Sequence, residues 1–115
     1  MTHLDILRTT TTLVREQGAA SALAELRRTR PALRHGEYHD TCAVFVVWAV
    51  DRLVTSGLSD VAVLWHPLTD SRSIEAWYDT TTLASGAAHE GFVPATLALA
   101  DEPTPAEPLQ LVAAA

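Results

Sequence analysis

The N-terminal third of the chain has the apolar spacing of two amphipathic helices. We expect the first helix from His3 to Gln17, followed by Gly18, which can end a helix in the left-handed conformation. The run of threonines at residues 9–12 weakens this prediction, because β-branched side chains lose rotamer freedom in a helix. The apolar stripe consists of Leu4, Leu7 and Val14.

A second helix is expected from Ala19 to Thr29. Its apolar stripe is Ala20, Leu23 and Leu26. Pro31 ends this helix, since proline restricts the preceding residue, Arg30, away from the α region. Two short helices with a tight connection predict a helical hairpin, which needs another element to cover its apolar side.

The longest apolar run is residues 42–50, Cys-Ala-Val-Phe-Val-Val-Trp-Ala-Val. An element that is apolar on every side is normally buried, so this run is predicted at the centre of the fold. Its valines suit a strand equally well. The apolar pattern continues to Val54, however, and that length favours a helix over residues 41–56, with Asp40 as N-cap and Gly57 after its end.

After Gly57 the apolar segments become short and β-branched, with turn-forming residues between them. Residues 61–66 and 73–79 are predicted to form an antiparallel hairpin, and residues 95–100 a third strand. The resulting fold class is α+β: a helical hairpin and a buried third helix packed on a small antiparallel sheet. The alternative makes residues 71–85 a helix and the fold an all-α bundle. Residues 1–100 are interpreted as one globular domain, and residues 101–115 as an extended tail containing prolines and acids.

Composition agrees with one small acidic domain. The chain has 115 residues, 48% of them hydrophobic and 19% charged, with a formal net charge of −6. All eight cations are arginine, and lysine is absent, which excludes Schiff-base and P-loop chemistry. An arginine-only, alanine-rich composition is typical of bacterial coding bias. Residues 1–36 carry +3 and residues 37–115 carry −9, an asymmetry that can mark a partner surface.

The single cysteine and the absence of long apolar runs predict a cytoplasmic protein. Cys42 has no partner for an internal disulfide, which favours a reducing compartment. No signal-peptide pattern begins the chain, and the longest apolar run has nine residues, whereas a membrane helix needs about 20.

The densest group of chemically versatile side chains lies in residues 35–42. Three of them, His35, His39 and Cys42, are candidate zinc ligands, with His66 or His89 as the fourth. The same segment suggests a cysteine nucleophile, in which Cys42 attacks, His39 is the base and Asp40 orients it. Because neither spacing matches a known signature, no catalytic residue or cofactor is assigned, and zinc and a cysteine enzyme remain alternatives.

Two further groups are candidate partner-binding residues. The first is the arginine patch, defined as Arg27, Arg28, Arg30 and Arg34, and the second is the pair of tryptophans Trp65 and Trp77. The arginine patch makes a nucleic-acid-binding regulator a second alternative. The acidic net charge of the chain disfavours it. Since a small sheet leaves unpaired edges, the leading interpretation is a non-enzymatic protein-interaction or accessory module that pairs with itself or with another protein.

Overall fold

The computed structural model describes residues 2–97, which form six α-helices and two 3₁₀ turns. The helices are α1 (His3–Gln17), α2 (Ala19–Thr29), α3 (Asp40–Thr55), α4 (Asp60–Leu64), α5 (Thr80–Ala84) and α6 (Gly86–Glu90), and the 3₁₀ turns are Pro67–Thr69 and Ser73–Ala76. Residues 2–97 contain no strand; an isolated bridge joins Arg34 and Glu37. The fold of this part of the chain is therefore all-α.

Helix α1 has the predicted bounds because its termini and its threonines are satisfied locally. At the N-terminus, Thr2 and Asp5 form a reciprocal capping box. The hydroxyls of Thr10 and Thr11 are buried and donate to the carbonyls one turn earlier, each at 2.7 Å. The threonine run is thus compatible with the helix. Gly18 ends it at φ 92° and ψ 169°, a positive-φ conformation different from the predicted left-handed one.

Helix α2 also has the predicted bounds, and Arg30 ends it. The Arg30 residue lies in the left-handed region at φ 49° and ψ 56°, and its N–H donates to the Leu26 carbonyl at 2.8 Å. The restriction from Pro31 is consistent with Arg30 lying outside the right-handed helical region. Helices α1 and α2 pack against each other and against α3, which provides the cover that the helical hairpin requires.

Helix α3 is the central element, as its apolar run predicts. The prediction of Asp40 as N-cap is wrong by one residue. His39 is the N-cap, and its Nδ1 accepts the Cys42 N–H at 3.1 Å. The core around α3 includes Ile6, Leu23, Val44, Phe45, Val47, Trp48, Val50, Val63, Trp77, Tyr78 and Leu83.

The predicted antiparallel hairpin is wrong, and with it the α+β fold class. Residues 61–66 belong mostly to α4, which begins where the Ser59 hydroxyl accepts the Ala62 N–H at 3.3 Å. Residues 73–79 contain a 3₁₀ turn instead of a strand. A short β-branched run fits either a strand or a buried helical turn, and here the capping residue selects the helix.

The all-α alternative fits the structure, although residues 71–85 do not form one helix. Asp79 interrupts that region and begins α5 by accepting the Thr82 N–H at 2.7 Å. The predicted third strand is also wrong for residues 95–97, which have no regular structure. Residues 98–100 of that strand and the predicted tail 101–115 lie outside the described residues.

The first turn of α3 holds the segment that follows α6. The Thr41 hydroxyl lies 3.0 Å from both the Ala88 and Gly91 carbonyls and accepts the Val93 N–H at 3.2 Å. The Tyr78 hydroxyl donates to the Val93 carbonyl at 2.6 Å. This network anchors the end of the described chain on the central helix.

Candidate functional site

The connection between α2 and α3 contains a tight turn that faces α5 and α6. His35 and Gly36 both have positive φ, 52° and 77°, as the central residues of a type I′ turn require. On either side of them, Arg34 and Glu37 exchange backbone hydrogen bonds at 3.0 and 3.1 Å. Positive φ is uncommon for a residue other than glycine. The turn fixes the backbone positions from which the Arg34 and His35 side chains extend.

This turn forms one wall of a polar cleft of about 720 Å³. The opposite walls come from residues 71–75 and from α5 and α6. We define the polar cleft by its lining residues, Leu33, Arg34, His35, Glu37, Ser71, Arg72, Glu75, Thr80, Leu83, Ala84 and His89. The fold thus brings Arg34 of the arginine patch, and His35 and Glu37 of the 35–42 segment, together with His89. The sequence analysis missed Glu75, for which the only signal was its spacing of three from Arg72.

Glu75 connects the two arginines of the polar cleft. Its Oε2 accepts the Arg72 Nε–H at 3.0 Å, and its Oε1 lies 3.9 Å from an Arg34 Nη. The first contact is a hydrogen bond, whereas the second is too long for one. The Arg72 hydrogen bond, with the charge of Arg34 adding to it, lowers the pKa of Glu75. Glu75 therefore stays ionised beside Arg34 at neutral pH.

His39 lies behind the polar cleft and is fully buried. Its Nε2 donates to the Leu83 carbonyl at 2.7 Å while its Nδ1 caps α3, so both ring nitrogens are occupied by backbone groups. The His89 ring lies against it, with centroids 4.4 Å apart, and His89 Nδ1 donates to the Ser85 carbonyl at 2.8 Å. His39 is thus engaged in holding α3 to α5.

The proposed nucleophile, Cys42, is not on the surface. It is buried in the core, and this burial raises the pKa of its thiol to about 12. A buried neutral thiol is a poor nucleophile. The candidate orienting residue, Asp40, contacts Arg27 and Tyr38 instead of His39. The arrangement required for cysteine catalysis is therefore not assembled by these residues.

The candidate zinc ligands do not assemble into a metal site either, although two of them, His39 and His89, lie side by side. Within residues 2–97, no group of three or more histidine, cysteine, aspartate or glutamate side chains is placed to hold a metal ion. His66 lies at the start of the first 3₁₀ turn, where its Nδ1 accepts the Leu68 N–H at 3.0 Å. His35 is exposed at the turn, whereas His39 and Cys42 are buried.

Each member of the arginine patch contacts a side chain of this chain. Arg27 forms a bidentate pair with the Asp40 carboxylate at 2.9 and 3.0 Å, and the Tyr38 hydroxyl donates to the same carboxylate at 2.6 Å. The other three pairings are Arg28 with Glu25, Arg30 over the Tyr38 ring and Arg34 with Glu75. The patch is therefore partly neutralised within the molecule, most completely at Asp40, whose side chain is 6% exposed.

The two tryptophans that are candidate partner-binding residues, Trp65 and Trp77, differ completely in exposure. Trp77 is buried against Phe45 and Trp48, with ring centroids 5.3 and 5.7 Å away. Trp65 is 73% exposed, and Val61, four residues earlier, is 67% exposed. We call the surface formed by Val61 and Trp65 the α4 face. The sequence analysis missed Val61, because it interpreted residues 61–66 as a strand.

A groove of about 780 Å³ runs beside the α4 face. Its apolar lining is Leu4, Leu7, Leu64, Trp65 and Pro67. Asp70 is an exposed lining residue of the groove, and Arg8 is an exposed residue on the other side of Leu64. The α4 face is therefore an apolar projection next to a groove with a mixed apolar and polar lining. Charged residues of both signs flank it, Asp70 and Arg72 in the groove and Arg8 and Asp60 beyond Leu64.

Comparison with known proteins gives no indication of the function, so the function has to be inferred from the geometry. No protein-family model matches the chain, and neither a curated protein nor a solved structure matches it. Among the described residues, no helix combines the length and the apolar character needed to cross a membrane. The polar cleft and the α4 face are thus the two surfaces on which a function can be based.

Proposed function

We propose that the chain is a non-enzymatic interaction module of the bacterial cytosol that pairs with a second copy of itself through the α4 face. The observation that carries this proposal is the exposure of Trp65. Exposing so large an aromatic ring to water is unfavourable, and tryptophan is enriched among residues that dominate binding energy. The lone reduced cysteine supports the choice of compartment.

A second copy is the occupant because the α4 face is complementary to itself. In a two-fold interface each surface meets its own copy, so a projection must lie beside a depression that accepts it. Trp65 stands at the edge of a groove whose apolar walls include Leu64 and Pro67. Charged residues of both signs, Arg8 with Asp60 and Asp70 with Arg72, flank the face, so each copy can offer a cation to an anion of the other.

The test is the oligomeric state of the full chain and of Trp65→Ser. Sedimentation over a range of concentrations should show a dimer of wild type at about 100 μM. A central tryptophan contributes about 2 kcal/mol, and the dimer contains two, so Trp65→Ser should weaken the dimer about 1,000-fold and give a monomer. Leu97→Ser is the matched control, since Leu97 is also an exposed large apolar residue but lies outside the α4 face.

Two results would contradict the proposal. The first is a wild-type chain that stays monomeric up to about 1 mM. The second is a dimer that survives Trp65→Ser but is lost in Leu97→Ser, which would place the interface elsewhere. Circular dichroism of both variants checks that their helices are intact, so that a loss of dimer is not a loss of fold.

A further inference from the structure

Arg34 presents unused hydrogen-bond donors in a concave site. Its side chain is only 13% exposed, and the ion pair that it forms with Glu75 is 3.9 Å long. Within residues 2–97 its guanidinium makes no hydrogen bond to another protein group. Arginine carries five N–H donors in a planar fork, and the Arg34 donors that no protein group accepts remain in contact with solvent in the cleft. The guanidinium is therefore placed to receive an acceptor from outside the chain.

The surroundings of Arg34 restrict what that acceptor can be. The polar cleft has a volume of about 720 Å³, within the range of small-molecule sites. Part of its lining is apolar, from Leu33, Leu83 and Ala84, and the Thr80 and Ser71 side chains add hydroxyls. A ligand that fits this lining needs an apolar group as well as the oxygen atoms that Arg34 bonds.

Charge argues for a monoanion over a more highly charged ligand. Two carboxylates, Glu37 and the ionised Glu75, line the cleft together with Arg34 and Arg72, and Glu75 already accepts from Arg72, so the local positive charge is small. A phosphate dianion would add repulsion from Glu75, whereas a carboxylate brings one charge. A carboxylate also matches one guanidinium fork with two parallel hydrogen bonds.

We propose that the polar cleft binds a small carboxylate bearing an apolar group, with Arg34 as the residue that grips the carboxylate. Leu33 and Ala84 contact the apolar group, whereas Leu83 is only 1% exposed. Arg34, Leu33 and Ala84 are separate from Val61 and Trp65 of the α4 face, although Ser71 and Arg72 line both the polar cleft and the groove beside that face.

Benzoate is a suitable probe, since it combines a carboxylate with an apolar ring. In a titration of the ¹⁵N-labelled full chain, benzoate should shift the amide signals of residues 33–37 and 83–89 saturably. A Kd on the order of 1 mM is expected for one partly compensated arginine. Benzyl alcohol has the same ring without the charge and should bind at least tenfold more weakly. Inorganic phosphate should also bind more weakly than benzoate.

Two variants test the role of Arg34. Arg34→Gln should weaken benzoate binding at least tenfold, which corresponds to about 1.4 kcal/mol. Arg28→Gln is the matched control and should bind as wild type, because Arg28 is exposed on α2 and pairs with Glu25. If Arg34→Gln fails to fold, Ala84→Glu provides an independent test. It places a negative charge on the exposed rim of the cleft and should reduce binding as well.

Several results would overturn the proposal. One is the absence of a saturable shift with benzoate up to about 20 mM. Equal binding of benzyl alcohol would show that the carboxylate is not recognised, and tighter binding of phosphate would refute the ligand class. Unchanged benzoate affinity in folded Arg34→Gln, or in Ala84→Glu, would show that the cleft is not the binding site.

Discussion

His39 should make the stability of the protein fall in mild acid. The fully buried ring accepts a backbone N–H at Nδ1 and donates to the Leu83 carbonyl from Nε2, so the native state requires the neutral imidazole. Protonating Nδ1 would turn the acceptor for the Cys42 N–H into a donor. Burial is the main cause that lowers the pKa of His39; the hydrogen bond to Leu83 opposes it, and the nearby His89 and Arg34 add to the lowering.

The direction and size of the effect follow from this lowered pKa. Above pH about 6.5, the ordinary pKa of histidine, His39 is neutral in both states and contributes no pH dependence. Below that pH the unfolded chain binds a proton that the folded chain excludes, so the free energy of unfolding decreases as the pH falls. The loss approaches about 1.4 kcal/mol per pH unit and ends once the pH is below the folded-state pKa.

The assay is urea unfolding of wild type and His39→Asn at about pH 7.5 and 5.5. Asparagine retains an N-cap but loses the bond to Leu83, so the variant should be less stable by about 1–3 kcal/mol at the higher pH. Between the two pH values, wild type should lose about 1 kcal/mol more than the variant. His35→Asn, at a histidine that is exposed in the turn between α2 and α3, is the matched control for the exchange of residue type. If His39→Asn retains the full acid loss of wild type, the reasoning is refuted.

Two further predictions concern the buried polar groups near α3. Arg27→Met should lower the free energy of unfolding by about 2–3 kcal/mol at pH 7, because it leaves the buried Asp40 carboxylate without its guanidinium partner. Arg28→Met, at an exposed ion pair, should cost less than about 0.5 kcal/mol. Equal losses in urea titrations of the two variants would contradict this ranking. Cys42 should react with a thiol reagent such as dithionitrobenzoate at least about 100-fold more slowly in the native protein than in urea, and rapid native labelling would show that its burial is wrong.

The first half of the fold was predictable because its sequence signals are long. Helices α1 and α2 have apolar stripes over several turns and clear terminating residues, and α3 has an apolar run too long for a strand. After Gly57 each helix has five residues, too few for a helical period to be seen. The usable signals there were the capping residues Ser59, Asp79 and Ser85, each of which accepts an N–H three residues later.

The polar cleft was predictable only in part, since it depends on contacts between distant segments. Residues 35 and 37 were noted for their chemistry, but nothing local indicates that His89 lies near them. His39 looked like a ligand or a base, and its actual role depends on the Leu83 carbonyl, 44 residues away. Periodicity predicts which side of a helix is buried, whereas partners across the fold follow from packing that only the folded chain reveals.

The anchoring of the last described segment on Thr41 has a consequence for how the molecule opens. Helices of five residues are not stable in isolation, so these short helices persist only while the rest of the fold offers them contacts. Helix α4 packs on α1 and α3, α6 packs on α3, and α5 packs on α6. The three long helices pack against one another and contribute most of the residues of the apolar core. Amide hydrogens of α5 and α6 should therefore exchange with solvent through a partial opening that detaches residues 79–97 and leaves α1, α2 and α3 protected. His39 and Thr41, at the start of α3, make the hydrogen bonds to α5 and α6 that must break in this opening.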